Sequence, residues 1–471
     1  MILSTADSKT AFAKIRINVY KPEESYSMPE EIDKSAFPPD FMWGVSTAAH
    51  QVEGGNHNQW TEWEKASAKK LAKITGAKSP NSGAYSRIDQ LPVWKDIARE
   101  ARSPSNYISG RGVDHYNLYK HDFDIAKSMN LNAFRFTIEW SRIEPEEGHW
   151  NKEALEHYKN YIAELKKRNL EPVLNIWHWT MPVWFTKRGG FEKRRNVFYF
   201  ERFVHKVAHE LTDDVRYVIT INEPNVYTSF GYLMGEYPPQ KRNFIAFNRV
   251  YANLARAHRQ SYYLLKARKP SLQVGIASQL ANIQAKRAHS VLDEFITEWM
   301  RYFWNWWFLQ KIRKEQDFIG VNYYFTDYYR LKLPFKPVDP KLPLNDLGWY
   351  MEPEGIYPLL LRVWAHYKKP IIITENGVAD RKDQYRRWWI EETIIAMERA
   401  ISEGVQLIGY FHWSLLDNFE WAMGWWPKFG LVEVDRRTMK RKLRPSAKWF
   451  GEQVARLRHS KAYLKGMATK E

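Results

Sequence analysis

The sequence predicts an α/β protein, a single (β/α)8 TIM barrel with elaborated βα loops. Three observations predict it. Short apolar runs recur at residues 41–46, 133–138, 172–177, 217–221, 273–277, 318–322, 371–374 and 407–411. Runs of this length without polar alternation are typical of parallel strands buried on both faces. Helical patterns lie between most of them, for example at 155–168, 201–210 and 393–403, and eight strands alternating with helices close into a barrel. No Gly-x-Gly-x-x-Gly opens any of those helices, which disfavours an open doubly wound sheet with the same alternation.

Taken from the N-terminus, residues 1–36 read as an extension. Ala13, Ile15, Ile17 and Val19 alternate with Lys14, Arg16, Asn18 and Tyr20, the period of a half-buried strand. Ile15 and Ile17 are expected on its buried face. Residues 21–33 are polar and acid-rich, as in a linker. The barrel rhythm starts at Phe37-Pro38-Pro39-Asp40 and is expected to end near residue 457. Residues 63–114 are basic and weakly periodic, which predicts a long loop after the first strand, on the face where barrels carry their sites. The most apolar window, residues 302–309, is too short to cross a bilayer and reads as the core face of a helix. Residues 458–471 form a polar, basic tail that is expected to fray.

Composition narrows the function. The chain has 471 residues, 44% of them hydrophobic, and barrels reach this length with insertions. Zero cysteines exclude disulfides and thiolate metal sites. No basic segment followed by an apolar core opens the chain, so no signal peptide is expected and the protein reads as soluble and cytoplasmic. The net charge of +17 raises nucleic acid as a partner. Lys and Arg are instead spread along the chain in small knots such as Lys193-Arg194-Arg195, without a nucleic-acid motif. A solvated surface is expected, with neither nucleic acid nor membrane as partner. His205 and His209 have the spacing of a two-ligand helix face, but no third ligand accompanies them; no metal and no cofactor is expected. The 22 tryptophans are the better clue, because a flat indole suits stacking on the apolar face of a sugar ring.

The strand tips carry the chemistry. Ile371-Ile372-Ile373-Thr374 ends at Glu375-Asn376-Gly377. An acid at the C-terminal tip of a buried parallel strand is badly placed for stability and well placed for catalysis. Other tips repeat the pattern. The first strand runs into His50, Gln51 and Glu53. The second carries Arg135 and ends at Glu139. The third ends at His178-Trp179 and the fourth at Asn222-Glu223. The sixth ends at Asn322-Tyr323-Tyr324, and the eighth runs from His412-Trp413 to Glu420-Trp421. The fifth offers only Ser278 and Gln279. Singly, each has a bland reading: Asn-Glu-Pro is a common turn, and a strand His is usually a satisfied core residue. Together they bring acids, amides, imidazole and indoles to one rim. Two carboxylates opposed across a barrel meet the needs of glycoside cleavage. One protonates a poor leaving group; the other attacks the anomeric carbon as it gains oxocarbenium character.

Five stretches sharpen this reading: Phe-Met-Trp-Gly-Val-Ser-Thr-Ala-Ala-His-Gln-Val-Glu-Gly at 41–54, Thr-Ile-Asn-Glu-Pro at 220–224, Asp-Phe-Ile-Gly-Val-Asn-Tyr-Tyr at 317–324, Ile-Thr-Glu-Asn-Gly at 373–377, and the block at 413–421. In them the chain resembles glycoside hydrolase family 1, the retaining β-glucosidases and β-galactosidases, over roughly residues 37–452. The resemblance implies Glu375 as nucleophile and Glu223 as acid/base, with Arg135 and Tyr324 flanking the nucleophile. It implies Asn222 on the sugar 2-hydroxyl, and Gln51, His178 and Glu420 on the hydroxyls at positions 3, 4 and 6, with Trp421 assisting. Trp413 would lie beneath the ring and Trp349 would be an aglycone platform. Trp179 and Asn322 join the same substrate-binding set. The implied partner is a neutral β-linked oligosaccharide or β-glucoside, with no cofactor. The chain departs from the family at Thr180, where Asp is more usual. It departs again in the short, Trp-rich stretch 281–316, which is expected to leave the aglycone side open.

The physics of these positions gives further expectations. Arg135 should keep Glu375 ionised, and the Glu375 charge should keep Glu223 protonated. A carboxylate at Glu420 should repel a sugar 6-phosphate. Neutral β-glucosides are therefore expected as substrates, with β-galactosides or β-fucosides second. Two alternatives stand beside hydrolysis. A transglycosidase of the same mechanism differs only in its acceptor. A non-catalytic sugar-binding barrel would normally lack one of the two acids, and both are present. Nothing in the sequence indicates the oligomeric state.

Overall fold

The computed structural model describes residues 37–75, 88–287, 289–332 and 342–468; the strand expected at 13–19 lies outside them. The barrel occupies the unit Ser35–Glu471. All eight expected strands are present: β1 (Met42–Ser46), β2 (Ala133–Thr137), β3 (Glu171–Trp177), β4 (Tyr217–Asn222), β5 (Gln273–Gln279), β6 (Phe318–Tyr323), β7 (Ile371–Asn376) and β8 (Leu407–Trp413). They close in chain order, β8 pairing with β1, and every pairing is parallel. Every residue of β1, β2, β4 and β7 is buried. That two-sided burial is why these strands appear as unbroken apolar runs.

Helices pack around the barrel: α3 (His115–Ser128), α4 (Lys152–Lys167), α5 (Val197–Leu211), α6 (Phe244–Arg268), α9 (Ile356–Tyr367), α10 (Arg386–Ser402) and α11 (Pro445–Ala468). Several start where a polar side chain takes an otherwise orphaned N–H. Asn151 accepts from the Ala154 N–H at 3.1 Å ahead of α4, and Asn243 from the Ala246 N–H at 2.9 Å ahead of α6. Apolar faces of these helices and the outer faces of the strands form the main core. A second cluster lies inside the barrel: Met42, Ala133, Val173, Tyr217, Ile219, Ala277, Phe318, Ile372 and Phe411. Seven of the nine come from the N-terminal halves of their strands, and Ala277 and Phe411 lie one position past the midpoints of β5 and β8, so the interior is plugged below and polar above.

Three expectations need correction. The loop expected at 63–114 holds α1 (Gln59–Thr75) and α2 (Trp94–Ala101). The apolar positions Ala68, Leu71 and Ala72 pack on Tyr107, a helical spacing diluted by the surrounding lysines. Residues 302–309 are core only in part: α7 (Val291–Arg301) passes through a π-helical turn, Tyr302–Trp306, into α8 (Trp307–Lys311). Trp306, Phe308 and Leu309 are buried, but Tyr302 is exposed. The tail expected to fray from residue 458 continues α11 to Ala468; Phe450, Val454 and Leu457 anchor the helix on the core. No helix among the described residues is long and apolar enough to cross a membrane.

Candidate active site

The polar upper half of the barrel holds one connected hydrogen-bond network. Arg135 points inward from β2. Its Nη1 donates to Ser46 Oγ at 2.7 Å and to Glu375 Oε1 at 2.5 Å, and its Nη2 donates to Asn222 Oδ1 at 2.6 Å. The Tyr324 hydroxyl donates to Glu375 Oε2 at 2.7 Å, so both Glu375 oxygens are held. Asn322 Nδ2 donates to Asn222 Oδ1 at 3.2 Å and to Glu223 Oε1 at 2.8 Å. The Thr374 hydroxyl donates to Asn322 Oδ1 at 2.6 Å, which turns the amide nitrogen toward Glu223. The two carboxylates are thus tied through Arg135, Asn222 and Asn322.

Local backbone places these groups. Trp179, Glu223 and Trp421 have φ of 72°, 45° and 46°, the left-handed region that bulky side chains rarely adopt and that clusters at functional sites. Gly377, two residues past Glu375, allows β7 to meet β8: a Cβ there would lie 1.8 Å from the Trp413 carbonyl oxygen.

Burial dominates the electrostatics. It pushes the Glu223 carboxyl well above its ordinary range, with the Glu375 charge as the second cause. The sequence reading put the charge first; the structure puts burial first. Burial, then Glu375, also pushes Glu420 up to about 8. Glu420 therefore holds a proton at neutral pH, where a carboxylate was expected. His178 is pushed well below the usual imidazole range by burial and by Arg135, so it is neutral. Tyr324 is raised well above the usual phenol range by burial and by Glu375, and remains a donor.

The residues expected to hold sugar hydroxyls share one property. Gln51 Nε2 donates to Asn418 Oδ1 at 3.0 Å and to the Phe419 carbonyl at 2.8 Å, leaving Oε1 buried without a partner. Asn222 Nδ2 donates to His178 Nε2 at 3.0 Å, which puts the imidazole proton on Nδ1, also buried without a partner. Glu420 Oε2 is the third such atom. All three belong to residues at the strand tips on the polar side of the barrel, and buried polar atoms of this kind usually have partners. Indoles stand beside them. Trp421 lies 5.6 Å from His178 and 4.6 Å from Trp179, and the Trp179 N–H donates to the Asn222 carbonyl at 2.9 Å. Trp413 is 6.1 Å from His178. Trp349 sits 5.7 Å from Tyr324 and 6.1 Å from Phe429, on the Glu375 side.

Some strand-tip residues are structural instead. Glu53 accepts from Arg142 and Tyr158, and His50 pairs with Glu64. Thr180 donates to Glu139 Oε2 at 2.9 Å; an Asp there would face that buried carboxylate. His205 and His209 lie on α5 with rings 4.4 Å apart, and no group of three or more potential metal ligands occurs among the described residues. Ser46, Thr374 and Tyr237 were not singled out from sequence. Thr374 shares the inward face of β7 with Ile372, a period-two signal that could have found it. Tyr237, 5.6 Å from Trp179, comes from an irregular segment with no such signal.

A parallel barrel whose mouth holds two tethered carboxyl groups beside amide, imidazole and indole side chains is the framework of a glycoside hydrolase. The family described as glycosyl hydrolase family 1 matches residues 33–314 and 308–458, and the chain belongs to it. It is 31% identical over 465 residues to β-glucosidase A of Thermotoga maritima, covering 89% of this chain and 97% of that relative. It is 29% identical to a β-galactosidase of Saccharolobus solfataricus, covering 88% and 94%. Among solved structures, a β-glycosidase from Pyrococcus horikoshii superposes with a TM-score of 0.77 at 33% identity, covering 90% and 95%.

Proposed function

We propose that this chain hydrolyses neutral β-glucosides with net retention, with β-galactosides and β-fucosides as secondary substrates. Glu375 is the nucleophile and Glu223 the acid/base in this reading. The observation that carries it is the asymmetry of the two carboxyls: Glu375 has both oxygens engaged by Arg135 and Tyr324, while Glu223 is driven toward its protonated form. That is the division of labour that acid and nucleophile require. In the first step a Glu375 oxygen bonds to the anomeric carbon, the glycosidic C–O bond breaks, and the departing oxygen takes the Glu223 proton. Glu375 is then a neutral ester, and its share of the pressure on Glu223 disappears. In the second step Glu223 takes a proton from water, the water oxygen bonds to the anomeric carbon, and the ester bond breaks. In this reading Asn222 bonds the 2-hydroxyl, a contact that strengthens in the transition state. The names of the relatives, β-glucosidase and β-galactosidase, support the substrate range, and the absence of cysteine fits a cytoplasmic enzyme.

The test is anion rescue. Glu375→Gly should abolish turnover of 4-nitrophenyl β-glucoside, and azide should restore it with the α-glycosyl azide as product. Glu223→Ala should spare the first step on good leaving groups, which need little protonation, and azide should then give the β-product. Exchange of these behaviours would reverse the two roles.

A further inference from the structure

We propose that the outward face of α7 is the contact surface for a second copy of this chain, the two helices packing antiparallel about a two-fold axis.

The burial of α7 is inverted. A surface helix usually turns its apolar stripe to the core. α7 buries one apolar side chain, Ile296, with three polar ones, Asp293, Thr297 and Arg301. The buried polar groups are satisfied: Asp293 accepts from the Arg287 side chain at 2.8 Å and the Leu331 N–H at 2.9 Å, and Arg301 donates to the Ile283 carbonyl at 2.7 Å. These bonds fix which face looks inward. Leu292, Phe295, Trp299 and Tyr302 are left on the outside, each more than half exposed. Among the described residues nothing covers them.

The spacing selects the occupant. The four residues follow one another at intervals of three, four and three, the spacing of a two-helix seam. It reads the same in both directions. Turned antiparallel about the level of Thr297, a second α7 sets its Tyr302 against Leu292 and its Trp299 against Phe295. The reverse pairs form at the same time, as an isologous contact requires.

The face is also large enough. Trp299 stacks on Phe303 at 5.7 Å, Phe303 on Phe247 at 6.2 Å and Phe247 on Phe244 at 6.0 Å. This ladder of rings carries the apolar surface across to the start of α6, where Phe244 and Ile245 are exposed. At about 150–250 Å² per aromatic side chain, Phe244, Phe295, Trp299 and Tyr302 leave roughly 350–600 Å² open. Val291, Leu292 and Ile245 bring the face toward the ~800 Å² per partner that a stable interface takes. Monomers rarely show a patch of that size. Beside the stripe stand Glu294 and Glu298, each paired with Arg301 of its own chain, which limits repulsion between two copies. α7 has no exposed Lys or Arg, so it lacks the cations with which a helix docks on a membrane.

Analytical ultracentrifugation of the full chain is the test. The unmodified protein should sediment as a dimer at micromolar concentration. Phe295 is 71% exposed, so Phe295→Lys should keep the circular dichroism spectrum. It should raise the dimer dissociation constant at least about thirtyfold, the weight of one aromatic hot spot. Cross-linking checks the register, because the chain has no cysteine of its own. The double variant Leu292→Cys/Tyr302→Cys should oxidise to a covalent dimer of twice 56.1 kDa. Either single variant should not, because about ten residues of helix, roughly 15 Å, then separate each cysteine from its copy. An unmodified chain that stays monomeric even at millimolar concentration would overturn the proposal, whether or not it binds phospholipid vesicles. So would a Phe295→Lys dimer as tight as the parent, or single variants that cross-link as readily as the double.

Discussion

Arg135 and Glu375 lie on β2 and β7, strands that do not pair, yet Arg135 Nη1 approaches Glu375 Oε1 to 2.5 Å across the barrel. The same guanidinium reaches Ser46 and Asn222. A planar fork can serve three acceptors in fixed directions; a point charge cannot.

Arg135→Lys should therefore retain the charge and lose the geometry, with kcat falling by about a hundredfold, the cost of misplacing a reacting group by an ångström. Arg135→Met should also destabilise the fold by about 3–5 kcal/mol, because Glu375 becomes a buried charge without its partner. Steady-state kinetics and denaturant titration would measure both. Near-normal kcat in the Lys variant would refute the geometric argument.

Thr180 gives a test away from the substrate. Thr180→Val should cost about 1–3 kcal/mol by leaving the buried Glu139 carboxylate short of a donor. Thr180→Asp should cost more, by setting a second acid beside it. Urea midpoints at pH 7 would rank the two. A Thr180→Asp protein as stable as the parent would show that Glu139 can be satisfied otherwise.

Glu420 predicts a pH dependence of stability. Its folded value of about 8 lies above the unfolded value of about 4.3. Between these limits the unfolded chain releases a proton that the folded chain keeps. Its stabilising contribution is complete below about pH 4 and is lost as pH rises to about 8, by roughly 1.4 kcal/mol per unit. Glu420→Gln should show no Tm advantage near pH 4 and a growing one up to pH 8. A difference in Tm that stays constant with pH would contradict the assignment.

The same proton bears on selectivity. At pH 6 a neutral Glu420 does not itself repel a sugar 6-phosphate, although burial and the Glu375 charge disfavour a dianion. Above about pH 8 the ionised carboxyl adds repulsion. The kcat/KM ratio of 4-nitrophenyl β-glucoside to its 6-phosphate should exceed one at pH 6 and rise at pH 9. Preference for the phosphate at either pH would refute this.

Much of this was legible in the chain. The strands could be read because two-sided burial leaves unbroken β-branched runs such as Ile371–Ile373, and the positions of Glu223 and Glu375 at the strand tips could be read because they end such runs. α1 was not legible, because its apolar stripe at Ala68, Leu71 and Ala72 is narrow and set among lysines. The Trp304 N–H bond to Gln279 Oε1 joins residues from separate segments through a π-helical turn that no local period announces. The proton on Glu420 depends on how completely the fold excludes water from that carboxyl, which adjacent residues do not reveal.

The plug inside the barrel has a mechanical side. Glu223 and Glu375 stand at the tips of β4 and β7, with β5 and β6 between them. The gap between the two side chains is therefore a chord of a closed ring. Strand number and stagger set the diameter of that ring, and the side chains of residues such as Ile219, Phe318, Ile372 and Phe411 fill it beneath the mouth. Close-packed interiors transmit strain because they compress little. Deleting a methylene from that filling leaves a cavity under the strand tips that the surroundings close only in part, so residues remote from the rim bear on how firmly Glu223 and Glu375 are held.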